Sequence, residues 1–437
     1  MQTFMRQEKI DKSISGFITY HFVMSGVIWL FSGILILKPY EPIVSYIYWP
    51  LFFIWFAYLL RPVRLLSNGV FFKAYSIFIC LYLLGIVICT LRGKPVDILL
   101  KHDALWTFVY YLPLGLSAYV LKNYKQLYET MYRYSYIVTI CCTIIFVYHV
   151  LNPFNTYDMT FGYILLVPTI LHFSWYFSHR SDTYVLIIAI LEIAMLLLYG
   201  SRGVLLSIAI FFLLRFYVFG KRNTHQGIII FGVILIGLFF GYGAPLINDY
   251  LETQGVYSRT ISAFSDMDYD QTGTRNENWN TGLSLIMQKP IIGYGLGGYY
   301  YDFHEQHIKN NPDKQYIFDP IIREYKVSTV SYGGCHSGFL ELLAFFGILV
   351  GLPLAFWIIF SIFKVKKYKN KEFLELILLF YSVYIVPNMI VSSGLHYKPG
   401  CAIYLFLYLS FLIKYKNKYE YNNIDRVLLP TSAPKSI

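Results

Sequence analysis

Long apolar runs alternate with short polar connections along almost the whole chain. Runs of spanning length fall near residues 16–37, 43–60, 74–91, 104–121, 134–151, 160–177, 183–199, 204–219, 227–242, 338–363, 373–392 and 401–413. A helix needs about 20 apolar residues to cross hydrocarbon, so the pattern predicts about a dozen crossings. Pro113 and Gly115 interrupt the fourth run. One stretch breaks the rhythm: roughly 90 hydrophilic residues separate Tyr242 from Cys335, too many for an unstructured connection in a compact protein. The fold class expected is therefore all-α, a polytopic membrane protein of about 12 helices with one large extracytoplasmic loop. Its parts are transmembrane helices 1–9 in residues 1–243, the loop in residues 244–335, and three further helices with a tail in residues 336–437.

The loop carries local signals. Thr274-Arg-Asn-Glu277 has the form of a capping box. Behind it Trp279, Leu283, Ile286 and Met287 recur at helical spacing, and Pro290 ends the pattern. This stripe is expected to pack on the membrane domain or lie in the interface. Arg275 then opens the helix, where free N–H groups and its guanidinium could receive a phosphate; capping alone explains Thr274 and Glu277. The following Ile291-Ile-Gly-Tyr-Gly-Leu-Gly-Gly298 lacks the register of a dinucleotide fingerprint. It reads equally as a turn beside the membrane or a close approach to a ligand. Asp266, Asp268, Asp270 and Glu277 have calcium-loop spacing, but Gln271 stands where the glycine belongs. A solvated acidic turn is expected there, and no metal. His336 stands at the outer mouth of a span, where imidazole can take a proton near neutral pH or serve the helix start. Glu341 and Glu192 fall inside spans, as functional carboxylates or protonated structural ones.

Composition agrees with lipid as the solvent. Hydrophobic residues make up 57% and charged residues 14%, against about 25% charged in soluble domains. The net charge of +11 sits mostly in short connections and sets orientation rather than marking a nucleic-acid binder. Arg6, Lys9 and Lys12, then Arg61 to Lys73, Lys122 to Arg133, Lys221 with Arg222, and Lys364 to Lys371 fall on one side. Both termini are therefore expected in the cytoplasm, with Arg215 snorkelling to the same side. No cleavable leader is expected, and five of the six cysteines lie in apolar runs, so no disulfide framework is implied. Two external connections defy the charge rule, Arg92-Gly-Lys94 and Gly200-Ser-Arg-Gly203. Cations held there have either a bound anion or a lipid phosphate or helix C-terminus as partner.

Taken together these segments resemble the O-antigen polymerase and O-antigen ligase superfamily of bacterial membrane glycosyltransferases. The matching residues are Gly200-Ser-Arg-Gly-Val-Leu-Leu206, Arg275 with Trp279, Pro290-Ile-Ile-Gly-Tyr-Gly-Leu-Gly298, His336 with Phe339-Leu-Glu341, and Gly347-Ile-Leu-Val-Gly351. They occupy about a third of the chain. The resemblance implies a GT-C-like fold in the bacterial inner membrane and a glycan donor on a polyprenyl diphosphate such as undecaprenyl diphosphate. It also implies a chain-length regulator as a partner. Arg202 and Arg275 would hold the diphosphate and His336 would act as, or orient, the base. Arg92, Lys94, Arg259, Gly295 and Glu341 would complete the substrate site. Many relatives carry His-Asn where this chain has His336-Ser337.

The chemistry fits without a cofactor. A sugar on a diphosphate is already activated, so no nucleotide motif is needed. Guanidinium groups meet the leaving group's charge, and a poor hydroxyl nucleophile needs a base. The expected activity is an inverting repeat-unit polymerase for O-antigen or capsule. The alternatives are a ligase that passes the polymer to lipid A core and, in another class, a lipid-oligosaccharide flippase. Transporters usually show internal repeats, and this chain shows none.

Overall fold

The computed structural model describes residues 2–34, 117–151, 160–179, 182–199, 202–220, 271–295, 298–310, 316–319, 324–327, 337–365, 370–385 and 407–412, with isolated positions between 76 and 115 and at 335, 404 and 414. The expected spans at 43–60 and 227–242 lie outside these residues, and those at 74–91, 104–121, 373–392 and 401–413 are described in part.

The mixed-charge N-terminal segment is helical rather than a tail: α1 runs from Gln2 to Ile34. Ile14, Phe17, Ile18 and Phe22 are buried as α1 packs along α2 (Tyr124–Leu151). Gly26 lets the two helices approach, since a Cβ there would lie 3.1 Å from Val138 Cγ1. Asp11 is buried because it accepts from the Lys122 N–H at 3.0 Å. Next come α3 (Thr160–Ser178), α4 (Thr183–Tyr199) and α5 (Arg202–Phe219). Helix α3 is central and contacts α2, α4 and α5.

In the long hydrophilic stretch lie α6 (Gln271–Gln288) and α7 (Gly298–Asn310). A two-stranded antiparallel hairpin follows, β1 (Tyr316–Asp319) with β2 (Glu324–Val327), Tyr316 opposite Val327. The hairpin adds to the all-α expectation; its short segments, such as Tyr316-Ile-Phe, carry aromatic and β-branched residues that favour strands. Helix α8 (Gly338–Lys364) begins at a Ser337 cap, and α9 (Lys371–Phe380) begins at an Asn370 cap. Helix α9 continues as a π turn, Tyr381–Ile385, which packs against both α5 and α8. Among the described residues, three helices are long and apolar enough to cross a membrane: Tyr124–Tyr148, Phe161–Ser178 and Gly338–Lys364. The chain is an integral membrane protein.

Two buried polar networks hold the bundle together. In one, Arg215 does not snorkel as expected; it is 2% exposed and forks onto Glu375, Nη2 to Oε1 at 2.6 Å and Nε to Oε2 at 3.2 Å. Ser174 also donates to Glu375 Oε2 at 2.8 Å, and Tyr128 Oη lies 2.7 Å from Ser174 Oγ. The guanidinium is sandwiched by the Phe177 and Phe219 rings. The reason for the difference is Glu375, a carboxylate one turn into α9 that sequence spacing could not pair with α5. In the other network His172 Nδ1 is 3.0 Å from both Glu192 oxygens, and its Nε2 is 2.9 Å from Ser135 Oγ. Thr139 donates to Glu192 Oε1 at 2.5 Å. Glu192 is thus a fully bonded member of the α2–α3–α4 packing.

Removing one partner of a buried ion pair strands the other charge, at about 3–5 kcal/mol. Glu375→Ala is therefore expected to lower the melting temperature of the detergent-solubilised protein sharply. The double variant Arg215→Met/Glu375→Leu is expected to lose much less. Equal melting temperatures for wild type and Glu375→Ala would refute the role given to this pair.

Candidate functional site

The site region is built on a broken helix. Gly347, within α8, has φ 66° and ψ −178°, which no helical residue adopts. The left-handed region disfavours residues with a Cβ. The break would leave backbone groups unbonded at an apolar level of the protein, a cost a membrane protein must avoid. The segment 290–295 satisfies them. Ile348 N–H donates to Pro290 O at 2.6 Å, Tyr294 N–H to Ala344 O at 2.8 Å and Gly295 N–H to Phe345 O at 2.9 Å.

Glycines permit this contact because backbone meets backbone. A Cβ on Gly293, itself at φ 74°, would lie 2.5 Å from Ala344 O and 2.6 Å from Gly347 N. A Cβ on Gly347 would collide with the Ile291 carbonyl, and one on Gly351 with the Leu342 carbonyl. Two motifs that looked separate in sequence, Pro290 to Gly298 and Gly347 to Gly351, are the two halves of one joint.

A second small core lies beside the joint. Leu285, Ile286, Tyr294, Tyr299, Phe303, Leu343 and Phe345 bury one another. The expected stripe on α6 therefore divides: Ile286 faces this core, while Leu283 and Met287 are exposed together with Ile291 and Ile292. That exposed edge is continuous with Ile348 and Leu349 on α8, a helix long and apolar enough to cross a membrane, so bilayer is its natural solvent. Cys335, fully buried, donates its N–H to Tyr299 Oη at 3.0 Å and its thiol to Ser337 O at 3.3 Å. Burial pushes the Cys335 thiol well above its usual range, and the charge of Glu341 adds to this. The group stays a thiol, unfit as a nucleophile.

The expected site residues fall as follows. Arg202 is the first residue of α5. Arg275 is on α6, but the helix starts at Gln271, so Arg275 is past the first four residues whose N–H groups are free. Thr274 is likewise inside the helix instead of capping it. Gly295 is buried with its amide bonded to α8. Glu341 is fully buried in the first turn of α8. Arg92, Lys94, Arg259 and His336 lie outside the described residues, although both neighbours of His336 are within them. Helix α6 and the chain entering α8 are brought together: a Cβ on Gly282 would lie 2.7 Å from Cys335 Cβ. The π turn joins the helices that carry Arg202 and Glu341.

Sequence reasoning missed Glu375, Gly282, Tyr299 and the joint. The available signal was glycine at both 293 and 347, in two segments each able to tolerate close backbone approach.

Residues 185–355 match the O-antigen ligase family model, Wzy_C. The matched stretch runs from α4 through most of α8 and contains Arg202, Arg275, Gly295, His336 and Glu341. The match agrees with the polymerase/ligase superfamily that the motifs resemble. No curated protein and no solved structure matches the chain.

Gly347→Ala is expected to open the joint. The control is Gly93→Ala, which has a similar φ of 64° but nothing within 4 Å of its added Cβ. That control carries only the left-handed penalty of about 1–2 kcal/mol. Gly347→Ala adds the collision, so Tyr294, buried in the docked segment, should become a faster chymotrypsin site. Equal cleavage in both variants would show that the joint does not hold the segment.

Proposed function

We propose that this chain, which carries an O-antigen ligase family domain, is a polymerase of lipid-linked oligosaccharide repeat units. It joins repeat units carried on polyprenyl diphosphate into O-antigen or capsular polysaccharide at the outer face of the bacterial cytoplasmic membrane. The observation that supports this reading most is the contact between α6, which bears Arg275, and Cys335, the residue directly before His336. It brings the helix of a candidate diphosphate ligand beside the chain that carries the candidate base.

In this reading Arg202 and Arg275 hold the diphosphate of the donor. Arginine suits the task because its planar fork remains charged and binds phosphate oxygens in pairs. Arg92, Lys94 and Arg259 extend the positive field. His336 takes the proton of the acceptor hydroxyl as that oxygen bonds to the anomeric carbon. The bond from the anomeric carbon to the diphosphate breaks in the same displacement, and the polyprenyl diphosphate leaves with the electron pair. One displacement inverts the anomeric centre and needs no enzyme nucleophile. The termini lie in the cytoplasm and the long loop outside, as the basic connections require.

The matched family's description favours a second reading, a ligase that passes a finished chain to lipid A core. Gene deletion separates them: loss of a polymerase leaves single repeats on the lipid carrier, and loss of a ligase leaves long unattached polymer. For the residues, His336→Ala is expected to slow extension by about 100-fold or more, the usual contribution of a general base. Arg202→Ala and Arg275→Ala should abolish the polymer ladder with normal protein in the membrane, and Arg202→Lys and Arg275→Lys should restore it only partly. Wild-type chain lengths in the alanine variants would sink the assignment.

A further inference from the structure

We infer that a row of amide side chains linking α6 to α7 is a binding site for the sugar part of a lipid-linked repeat. This deepens the reading in which the chain joins lipid-linked glycans, and rests on it. The row runs through side chains alone. Gln288 Nε2 donates to Gln306 Oε1 at 3.0 Å, and Gln306 Nε2 donates to Asn310 Oδ1 at 2.8 Å. Asn310 Nδ2 reaches Thr281 Oγ1 at 3.5 Å, and that hydroxyl lies 3.4 Å from His307 Nδ1. At the other end Tyr294 Oη donates to Gln288 Oε1 at 3.2 Å.

Helical periodicity puts the row together. Thr281, Leu285 and Gln288 share one face of α6, and Tyr299, Phe303, Gln306 and Asn310 share one face of α7. The apolar members Leu285, Tyr299 and Phe303 are buried in the small core. The amides continue the same stripes to the surface, where Gln288 and Asn310 are exposed. Tyr294 fixes the row to the broken helix, since its N–H donates to Ala344 O while its hydroxyl donates to Gln288. The row and the joint therefore share one support.

The chemistry of the row matches hydroxyl groups. An amide has two N–H donors and a carbonyl oxygen with two lone pairs. Among the described residues, Gln288, Gln306 and Asn310 each use one N–H within the row. The second N–H of each is left for a ligand. A sugar hydroxyl also donates and accepts, so neighbouring hydroxyls and amides satisfy one another in pairs. Amides and a threonine hydroxyl carry no charge with which to hold a phosphate, and a neutral glycan needs none. From Thr281 to Gln288 the row extends about 10 Å along α6, long enough for more than one sugar ring. As a mere clasp the row would be inefficient. Long side chains give up rotamer freedom to form it, and α6 and α7 already share a buried core.

The test uses full-length protein purified in detergent. It is titrated with the oligosaccharide freed by mild acid from the lipid-linked repeats of the gene-deleted host, a probe with neither lipid nor diphosphate. Gln288→Ala, Gln306→Ala and Asn310→Ala should each weaken binding by about 2–10-fold, the reach of one neutral hydrogen bond. Gln288→Ala/Gln306→Ala should weaken it further than either change alone. Lys309, exposed on α7 beside the row, is the control: Lys309→Ala should bind as wild type does, because the ligand is neutral. Melting temperatures are read on the same samples. A row that only clasps the helices would lower the melting temperatures of the alanine variants and leave their affinities alone, which would overturn the site. Wild-type protein that does not bind the oligosaccharide would overturn it too, as would a loss in Lys309→Ala equal to that in Gln306→Ala.

A second readout separates lost binding from lost folding. In membranes with added lipid-linked repeats, Gln306→Ala should extend chains with a raised apparent KM and nearly unchanged turnover, the signature of binding shared by ground and transition states. A partly unfolded population would lower turnover instead, and lowered turnover at the wild-type KM would overturn the site. The two readings fail separately. Gene deletion decides which reaction the chain performs, while the titration contains no lipid carrier and no reaction. If extension is not its reaction and the oligosaccharide still binds through Gln306, the row stands and the polymerase reading falls.

Discussion

The break in α8 at Gly347 is the constraint on which the site region depends. A membrane helix ordinarily bonds all its own backbone groups, because lipid offers no partners. Here the helix gives up that self-sufficiency at one residue. The carbonyls of Ala344 and Phe345 and the amide of Ile348 are bonded by Pro290, Tyr294 and Gly295 instead. A segment of the hydrophilic stretch is thereby bound, by backbone hydrogen bonds rather than by side-chain packing alone, to a helix long and apolar enough to cross a membrane. This arrangement explains why glycine stands at 293, 347 and 351, and why α6 and α7 can bury a small core of their own against α8.

The rest of the bundle uses a different device. Apolar packing between helices is weak as an organising force in lipid, because lipid tails are as apolar as leucine. The Arg215–Glu375 pair and the His172–Glu192 pair supply directional links among α2, α3, α4, α5 and α9. Their polar neighbours matter as much as the charges. Ser174, Tyr128, Ser135 and Thr139 take up lone pairs and protons that burial would otherwise leave unbonded. These networks lie in the helices that support the site region, and α8 meets them through the π turn Tyr381–Ile385. π turns tend to occur where a helix must depart from regular geometry at functional places.

Two helices of the candidate site region were readable before any coordinates. The helix over 271–288 was visible from Trp279, Ile286 and Pro290, and the entrance to α8 from the run after Ser337. The start of α6 was misread by about one turn. Thr274 with Glu277 makes a capping pattern wherever it occurs, and only the folded chain shows that Gln271 is already helical. Arg215 was misread for a related reason: its partner Glu375 is 160 residues away in sequence, beyond any periodicity.

The sequence by itself determined the solvent of this protein, the helical class, and the segments rich in arginine, glycine and histidine that resemble the family's motifs. These properties are local: hydropathy, charge and residue type act over one or two helical turns. The tertiary structure decided which segments meet. It closed the Gly347 break with Gly293, set Cys335 on Gly282 and buried Arg215 against Glu375. Such contacts join residues tens to more than a hundred positions apart. They arise only when backbone groups and charges shut away from water must find partners wherever the fold brings one.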